Sequence, residues 1–448
     1  MSFFQDSLFA TSTAVKIAVN EDHELVQLSN LVPWQTLVTL AMTIRSKKVK
    51  KESGPQPHYR QLLGAVALMA VKNLTYRDAE DLIAHYAPAR YLCDLMDSDW
   101  AIDHVTIFEF TQMLGSTGME QINHAILMTA HDHGVIDPRQ VMSDTTAQEA
   151  KIPYPTEVGL MARFMELTGK NVKKLGGKFN QIKASVKKAA KEVKHLLRNS
   201  NLFAKTKEQK RKVGKKMYHQ VKNIHKEIQG LLASGYKLSS KAGKDLTDLV
   251  EVMDTLLPQM LHFIETGFVA AKKVIHLQMP ELYSIVRQKA GKRVEFGLKW
   301  GINRIAGGFV QGFLVNGGEH RSDKKFCLEG VDQHLAVFGE PPKIYGYDRG
   351  GYSQANIKKL KKRGVKHVGV APKGGADWAT PKTMTEKIKR ERAQVEGSIG
   401  TLKSNKYGFN KPTVCSTEAM ARCGHRSITG FNLMKLVKEV GKLQIANA

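Results

Sequence analysis

Residues 343–351 read KIYGYDRGG. Lys343–Tyr347 is rich in β-favouring side chains, and Arg349, Gly350 and Gly351 break the run. The stretch therefore predicts a short strand with Asp348 at its end, facing a glycine-rich turn. A carboxylate in that setting is a common metal ligand, but one Asp is not a site. Asp144 and Glu396 stand in similarly marked settings, and the three are expected to converge on metal ions.

Working outward, Ser353–Lys362 predicts a helix, His367–Ala371 an apolar strand and Thr385–Leu402 a long helix. Upstream, Lys324–Val337 is helical, Gly307–Val315 (GGFVQGFLV) suggests a strand, and Val294, Phe296 and Leu298 alternate as in another. Arg139–Thr146, RQVMSDTT, reads as a strand ending in Asp144, closed off by Pro153 and Pro155. The order is strand, insertion, strand, strand, helix, strand, helix, strand, helix. That is an α/β domain, a mixed sheet covered by helices and interrupted once. A basic helix over Ser427–Gly441 ends the pattern.

The N-terminal part differs. Residues 1–30 show no strong period. Trp34–Arg45 and Tyr59–Lys72 are helical, and a third helix begins after Thr75, which precedes Asp78 as in a capping box. Helices near 105–114 and 117–133 follow. This helical domain is a packing or dimerisation unit, or a helix-turn-helix; no turn signature singles out a recognition helix.

Residues 157–290 are helix formers throughout. Between Asn171 and His225, 17 Lys/Arg face two acids, Glu192 and Glu208. Leu196, Leu197 and Leu202 supply a weak apolar stripe. So dense a set of like charges repels itself, and a phosphate-binding arm explains it better than a solvated face, with coiled-coil pairing of the arm as the alternative. Residues 230–275 are more apolar and are expected to pack or self-associate. The chain as a whole has 448 residues and a net charge of +26, which predicts a polyanionic partner, most simply nucleic acid. Four scattered cysteines argue against a disulfide scaffold. Cys415, Cys423 and His425 lack zinc-site spacing. The start of the chain lacks a signal pattern, and its apolar runs reach only about ten residues, below the roughly 20 of a spanning helix. The expectation is a soluble, cytoplasmic protein associated with the nucleoid, with no membrane partner.

In KIKRERAQVEGSIGTLK, taken as a helix, Ile388, Val395, Ile399 and Leu402 form one stripe toward the sheet. Arg392, Glu396 and Lys403 cluster on its flank. The bland alternative is a surface helix with an Arg392–Glu396 pair. Three carboxylates suffice to hold two Mg²⁺ (or Mn²⁺) ions about 3.5–4 Å apart against a phosphodiester. Arg392, Lys403 and Arg349 would add contacts to phosphate or DNA. Asp323, Asp332 and Asp377 are within sequence reach of the same core and read as surface or capping residues. Glu149, five residues after Asp144, either assists metal binding or, the better reading, is a surface residue. Tyr352 and Asn356 either contact DNA or start a helix.

DTTAQEAKIPYPTE around Asp144, YGYDRGGYSQAN around Asp348 and RERAQVEGSIGTLKSNKYG around Glu396 resemble the three blocks of bacterial insertion-sequence transposases of the DDE type. The resemblance implies a ribonuclease-H-like core interrupted by a long helical insertion. It implies domains over 1–135 (helical, DNA-binding or dimerising), 136–156 (first part of the core), 157–290 (basic insertion) and 291–448 (rest of the core). It also implies Asp144, Asp348 and Glu396 as the metal-binding catalytic triad, acting on terminal inverted repeats and target double-stranded DNA. A homodimer or larger assembly on DNA follows from the need to bring two ends together. Many relatives carry a Tyr–Arg–Glu–Lys signature; here Arg392, Glu396 and Lys403 match it, and Lys389 occupies the Tyr position. The rival readings are a structure-specific nuclease on the same core and a DNA-binding remnant without catalysis.

Overall fold

The computed structural model describes residues 19–48, 57–98, 100–175, 177–233, 240–286, 294–315, 322–374 and 376–447. Residues 1–18 of the aperiodic N-terminal stretch lie outside these. In chain order come helices α1 (Glu24–Leu31), α2 (Trp34–Lys48), α3 (Tyr59–Lys72), α4 (Tyr76–His85), α5 (Ala87–Leu92) and α6 (His104–Asp132), then strand β1 (Asp137–Glu149). Helices α7 (Glu157–Leu175), α8 (Asn180–Leu202), α9 (Lys207–Ala233) and α10 (Lys241–Thr266) follow, then strands β2 (Tyr283–Val286), β3 (Val294–Ala306) and β4 (Val310–Leu314). The rest is α11 (Asp323–Phe338), β5 (Ile344–Tyr347), α12 (Gln354–Lys362), β6 (His367–Val370), α13 (Lys382–Lys403) and α14 (Thr417–Asn447). These segments form two compact units. One is Met1–Thr146, Trp300–Phe409 and Arg422–Ala448; the other is Ala147–Lys299 and Asn410–Ala421.

In the first unit, α3 is buried on nearly every face, from Leu62 through Val71. Its ten-residue apolar run is thus the centre of a helical core, and no helix among the described residues is long and apolar enough to cross a membrane. The Thr75–Asp78 capping box starts α4, each side chain taking the other's backbone N–H at 3.2 Å. The two helices expected between 105 and 133 are one, kinked at Gly115, whose φ of 68° only glycine adopts at little cost. Leu433 and Val437 of α14 join this core. At Gly430 a Cβ would stand 2.0 Å from the Ala70 carbonyl oxygen, so α14 and α3 touch backbone to backbone.

The sheet of this unit is mixed. Strands β1 and β5 run parallel with Gln140 beside Ile344 and Met142 beside Gly346, and β5 and β6 run parallel with Tyr347 beside Val370. On the far side of β1 lies β3, whose second half pairs antiparallel with β4, Trp300 beside Leu314. Side chains alternate across the sheet. Val141, Tyr345, Tyr347 and Val368 pack on Phe326, Cys327 and Val331 of α11 and Leu360 of α12. Met142 packs on the other face against Ile388 and Val395 of α13. Two glycines let α13 settle there: a Cβ at Gly369 would stand 2.4 Å from Ile388 Cδ1, and one at Gly346 would stand 3.0 Å from Ile388 Cγ2.

In the second unit, α7–α10 close around one core that includes Phe164, Val186, Val193, Met217, Val221, Leu246 and Met253. The insertion is not helical throughout: helix ends at Thr266, and β2 pairs antiparallel with the first residues of β3. The buried stripe of α8 is Ile182, Val186, Ala189 and Val193, at helical spacing, whereas Leu202 is exposed and Leu196 and Leu197 are half-buried. Leu196 and Leu197 follow Val193 at the same spacing and pack against this core, so the expected Leu stripe holds at those two positions and fails at Leu202. The more apolar 230–275 stretch supplies the packing partner, Leu249, Met253 and Leu256 of α10.

Candidate active site

The parallel register that sets Gln140 beside Ile344, carried four residues on, brings Asp144 of β1 level with Asp348 at the end of β5. Both lie on the face that α13 covers. Asp144 does not end its strand, which runs on to Glu149. Its Oδ1 accepts the Thr145 N–H at 2.7 Å. Asp348 caps the 3-10 turn Arg349–Gly351, accepting the Gly350 N–H at 2.8 Å. Both carboxylates are partly buried.

Burial pushes the Asp144 carboxyl up to about 6. The Thr145 N–H opposes this, the negative charge of Asp348 adds to it, Arg392 opposes it and Asp323 adds to it. Three acids and one cation thus act on a common place beside the end of β5. Asp323, the first residue of α11, accepts the Thr145 hydroxyl at 3.0 Å. It also lies against Gly350, where a Cβ would stand 2.9 Å from both its Oδ2 and Asp348 Oδ1. From sequence Asp323 reads as a surface or capping residue. Its place beside Thr145 depends on the packing of α11, and the one local signal was an acid opening a helix after the β4 strand. Asp332 pairs with Arg363 at 2.6 Å, and Asp377 is in an exposed loop.

Arg392 reaches this place from α13. The helix is fixed sideways by Arg304 of β3, whose guanidinium stands 3.6 Å from Glu391 and donates to Gln394 at 2.5 Å. Both members of the Arg304–Glu391 pair are largely buried. Sequence reasoning missed Arg304, which is one basic residue among 68. Glu396, one turn past Arg392, is exposed, and Lys403 is half-buried in the last turn of α13. Arg349 is exposed on its turn. Lys389, at the Tyr position of the signature, pairs with Glu386 at 2.8 Å and lies 5.7 Å over the Trp378 ring. The structure therefore brings Asp144 and Asp348 together, with Arg392 beside them, and leaves Glu396 at the surface of its helix.

Carboxylate oxygens crowded so that one of them holds its proton toward neutral pH suit a hard dication. The set is not closed, since among the described residues no three His, Cys, Asp or Glu side chains stand close enough to hold a metal ion. Other sequence candidates have structural tasks. Buried Asn356 donates to the carbonyls of Lys324 and Gly351, each at 2.9 Å. Glu149 is buried in the second unit, where its backbone N–H donates to Asn410 at 2.8 Å. His425 packs edge-on against Trp300 at 4.8 Å, and burial draws its pKa down to about 3.

Residues 14–113 match a family model described as Transposase domain (DUF772). The match covers α1–α5 and the first part of α6. Searches of curated proteins and of solved structures find no match. The N-terminal region of the chain is thus similar to the transposase domain of that family, and the match supports the likeness to bacterial insertion-sequence transposases.

Proposed function

We propose that the protein is a DNA transposase that cuts the ends of its element and joins them to target DNA. Asp144, Asp348 and Glu396 are its catalytic carboxylates and metal ligands, on a ribonuclease-H-like core. The observation that carries this reading is the pairing of Asp144 with Asp348 at adjacent parallel strands, under a helix that brings Arg392 to them. Counted in chain order, the strands of the first unit lie third, second, first, fourth, fifth. That layout fits the proposed core, as does the place of the insertion between the first strand and the second.

Bound Mg²⁺ or Mn²⁺, two ions per site, would activate the attacking oxygen and stabilise the leaving one. The chain's own residues do the rest. Asp144 and Asp348 hold ligand oxygens at fixed strand positions. Glu396, exposed four residues past Arg392 and about 6 Å along the axis, would have to turn toward Asp144 and Asp348 to complete the set. Arg392 offsets carboxylate repulsion before a cation arrives and takes a phosphate oxygen afterwards. Arg349 and Lys403 contact the flanking backbone.

In the first step water hydrolyses one strand at the element end and leaves a 3′-OH; in the second that 3′-OH attacks a target phosphodiester at the same site. Two ends must be held together, so the active form is a dimer or larger on double-stranded DNA. The test is Mg²⁺-dependent nicking of end-bearing DNA. Asp348→Asn should abolish nicking and keep binding; undiminished nicking would refute the proposal. Nicking by the native protein without joined products would instead indicate a structure-specific nuclease, and binding without nicking a non-catalytic DNA-binding protein.

A further inference from the structure

Four large apolar side chains of the second unit are exposed where two of its helices end. Leu202 (57% exposed) and Phe203 (70%) form the turn between α8 and α9, and Phe268 (75%) and Val269 (60%) follow α10. The two places are at one end of the bundle. Arg211, one turn into α9, donates to the carbonyl of Ile264 at 2.7 Å and also to that of Glu265, next to the last residue of α10. Single exposed apolar residues are ordinary, but two aromatic tips on adjoining turns are not.

Both turns are built to hold their shape. The Phe203 N–H donates to the Asn199 carbonyl at 2.9 Å. Gln209 accepts the backbone N–H groups of Lys205 and Thr206 at 2.9 and 3.1 Å. On the other side Gly267, at φ 78°, closes α10 onto the Phe263 carbonyl at 2.8 Å, and Thr266 accepts the Phe268 N–H at 3.1 Å. Phe203 is therefore offered on a short, hydrogen-bonded turn flanked by exposed Lys205 and Lys207. The acids nearby are Glu208, which pairs with Lys212 at 3.0 Å, and the exposed Glu265.

We propose that this end of the bundle is a DNA probe: Phe203 and Phe268 stack on bases of an unpaired or kinked step while the flanking lysines hold the phosphates. The proposal rests on the reading that the partner is DNA and adds which part of the molecule senses its distortion. Aromatic faces stack on any base, and apolar wedges enter steps that are already loosened. A second copy is a poor occupant, because 17 Lys/Arg against two acids over 171–225 would repel their like. A lipid surface is a poor one too, because it needs a broad apolar helix face, and α8 and α9 bury theirs inside the bundle.

The experiment compares the full chain with an F203A/F268A variant. Binding is measured by fluorescence anisotropy on a matched duplex and on the same duplex with a two-nucleotide mismatch beside 2-aminopurine. The native chain should prefer the mismatched duplex about tenfold and raise the 2-aminopurine fluorescence. The variant should lose both effects, keep its affinity for the matched duplex within about twofold, and melt at an unchanged temperature because both side chains are exposed. A preference that survives in the variant overturns the proposal. So does a variant that changes only the sedimentation of the protein or its binding to phosphatidylserine vesicles. Failure of the native chain to bind either duplex overturns the transposase reading itself.

Discussion

The two units concentrate charge in opposite ways. In the first, Asp144, Asp348 and Asp323 crowd negative charge into a partly buried place beside the end of β5. In the second, the lysines of α8 and α9 spread positive charge over exposed helix faces while the opposite faces fill a core. Burial makes each acid's position matter, since water is not there to screen it. Solvent makes the lysines nearly interchangeable, and their effect on a polyanion is a sum. One region should therefore fail all at once and the other by degrees.

The widest contrast comes from removing one charge in each. Asp348→Asn should lower the nicking rate at least about a thousandfold, roughly 4 kcal/mol of barrier. Lys191→Ala should change it less than about twofold, on the same DNA at the same salt. Equal losses would erase the distinction. The next test concerns position without charge. Gly369→Ala places a methyl group 2.4 Å from Ile388 Cδ1 and should lift α13 off the sheet. A loss of about 2 kcal/mol in urea unfolding is expected, together with slower nicking. An unchanged midpoint would mean that Ile388 simply rotates away.

The crowding itself has a pH signature. The Asp144 carboxyl is raised from 3.8 to about 6, so its contribution to folding is fully present below pH 4 and lost as pH rises through 6. At pH 7.5 without metal the ionised group should destabilise the first unit by on the order of 3 kcal/mol. Asp144→Asn should then melt higher than the native protein, with the gap closing at pH 4 and on adding Mg²⁺. A variant that melts lower at pH 7.5 would show that the carboxylate is better compensated than its surroundings suggest. The smallest change is graded. Replacing Lys187, Lys191 and Lys194 together by Ala should weaken duplex binding modestly. The slope of log K against log salt should fall by about 2–3, roughly 0.9 per lost phosphate contact. No change in slope would remove α8 from the DNA-binding surface.

Features set by neighbours in sequence were legible before the fold was known. The Thr75–Asp78 box, the α3 span and the strand leading to Asp348 each depend on residues a few positions apart. Features set by distant partners were not. Strand β1 runs past Asp144 through Thr145 and Thr146 to Ala147, Gln148 and Glu149, the last three of which lack strong strand preference, and β3 lies alongside it in the sheet. The α8 stripe was legible at Leu196 and Leu197, whereas Leu202, which looked like its continuation, lies past the packed part of the helix and is exposed. Asp323 looked like an ordinary helix-opening acid.

By itself the sequence determined which residues are acidic in marked blocks, where the positive charge lies and most of the helices and strands, because short-range propensity and spacing decide those. Only the tertiary structure decided which acids meet. Parallel pairing of β1 with β5 sets Asp144 beside Asp348, and helix packing sends Asp323 and Arg392 to them. Hydrogen-bond register and close packing join positions far apart in the chain, and no local pattern encodes that meeting.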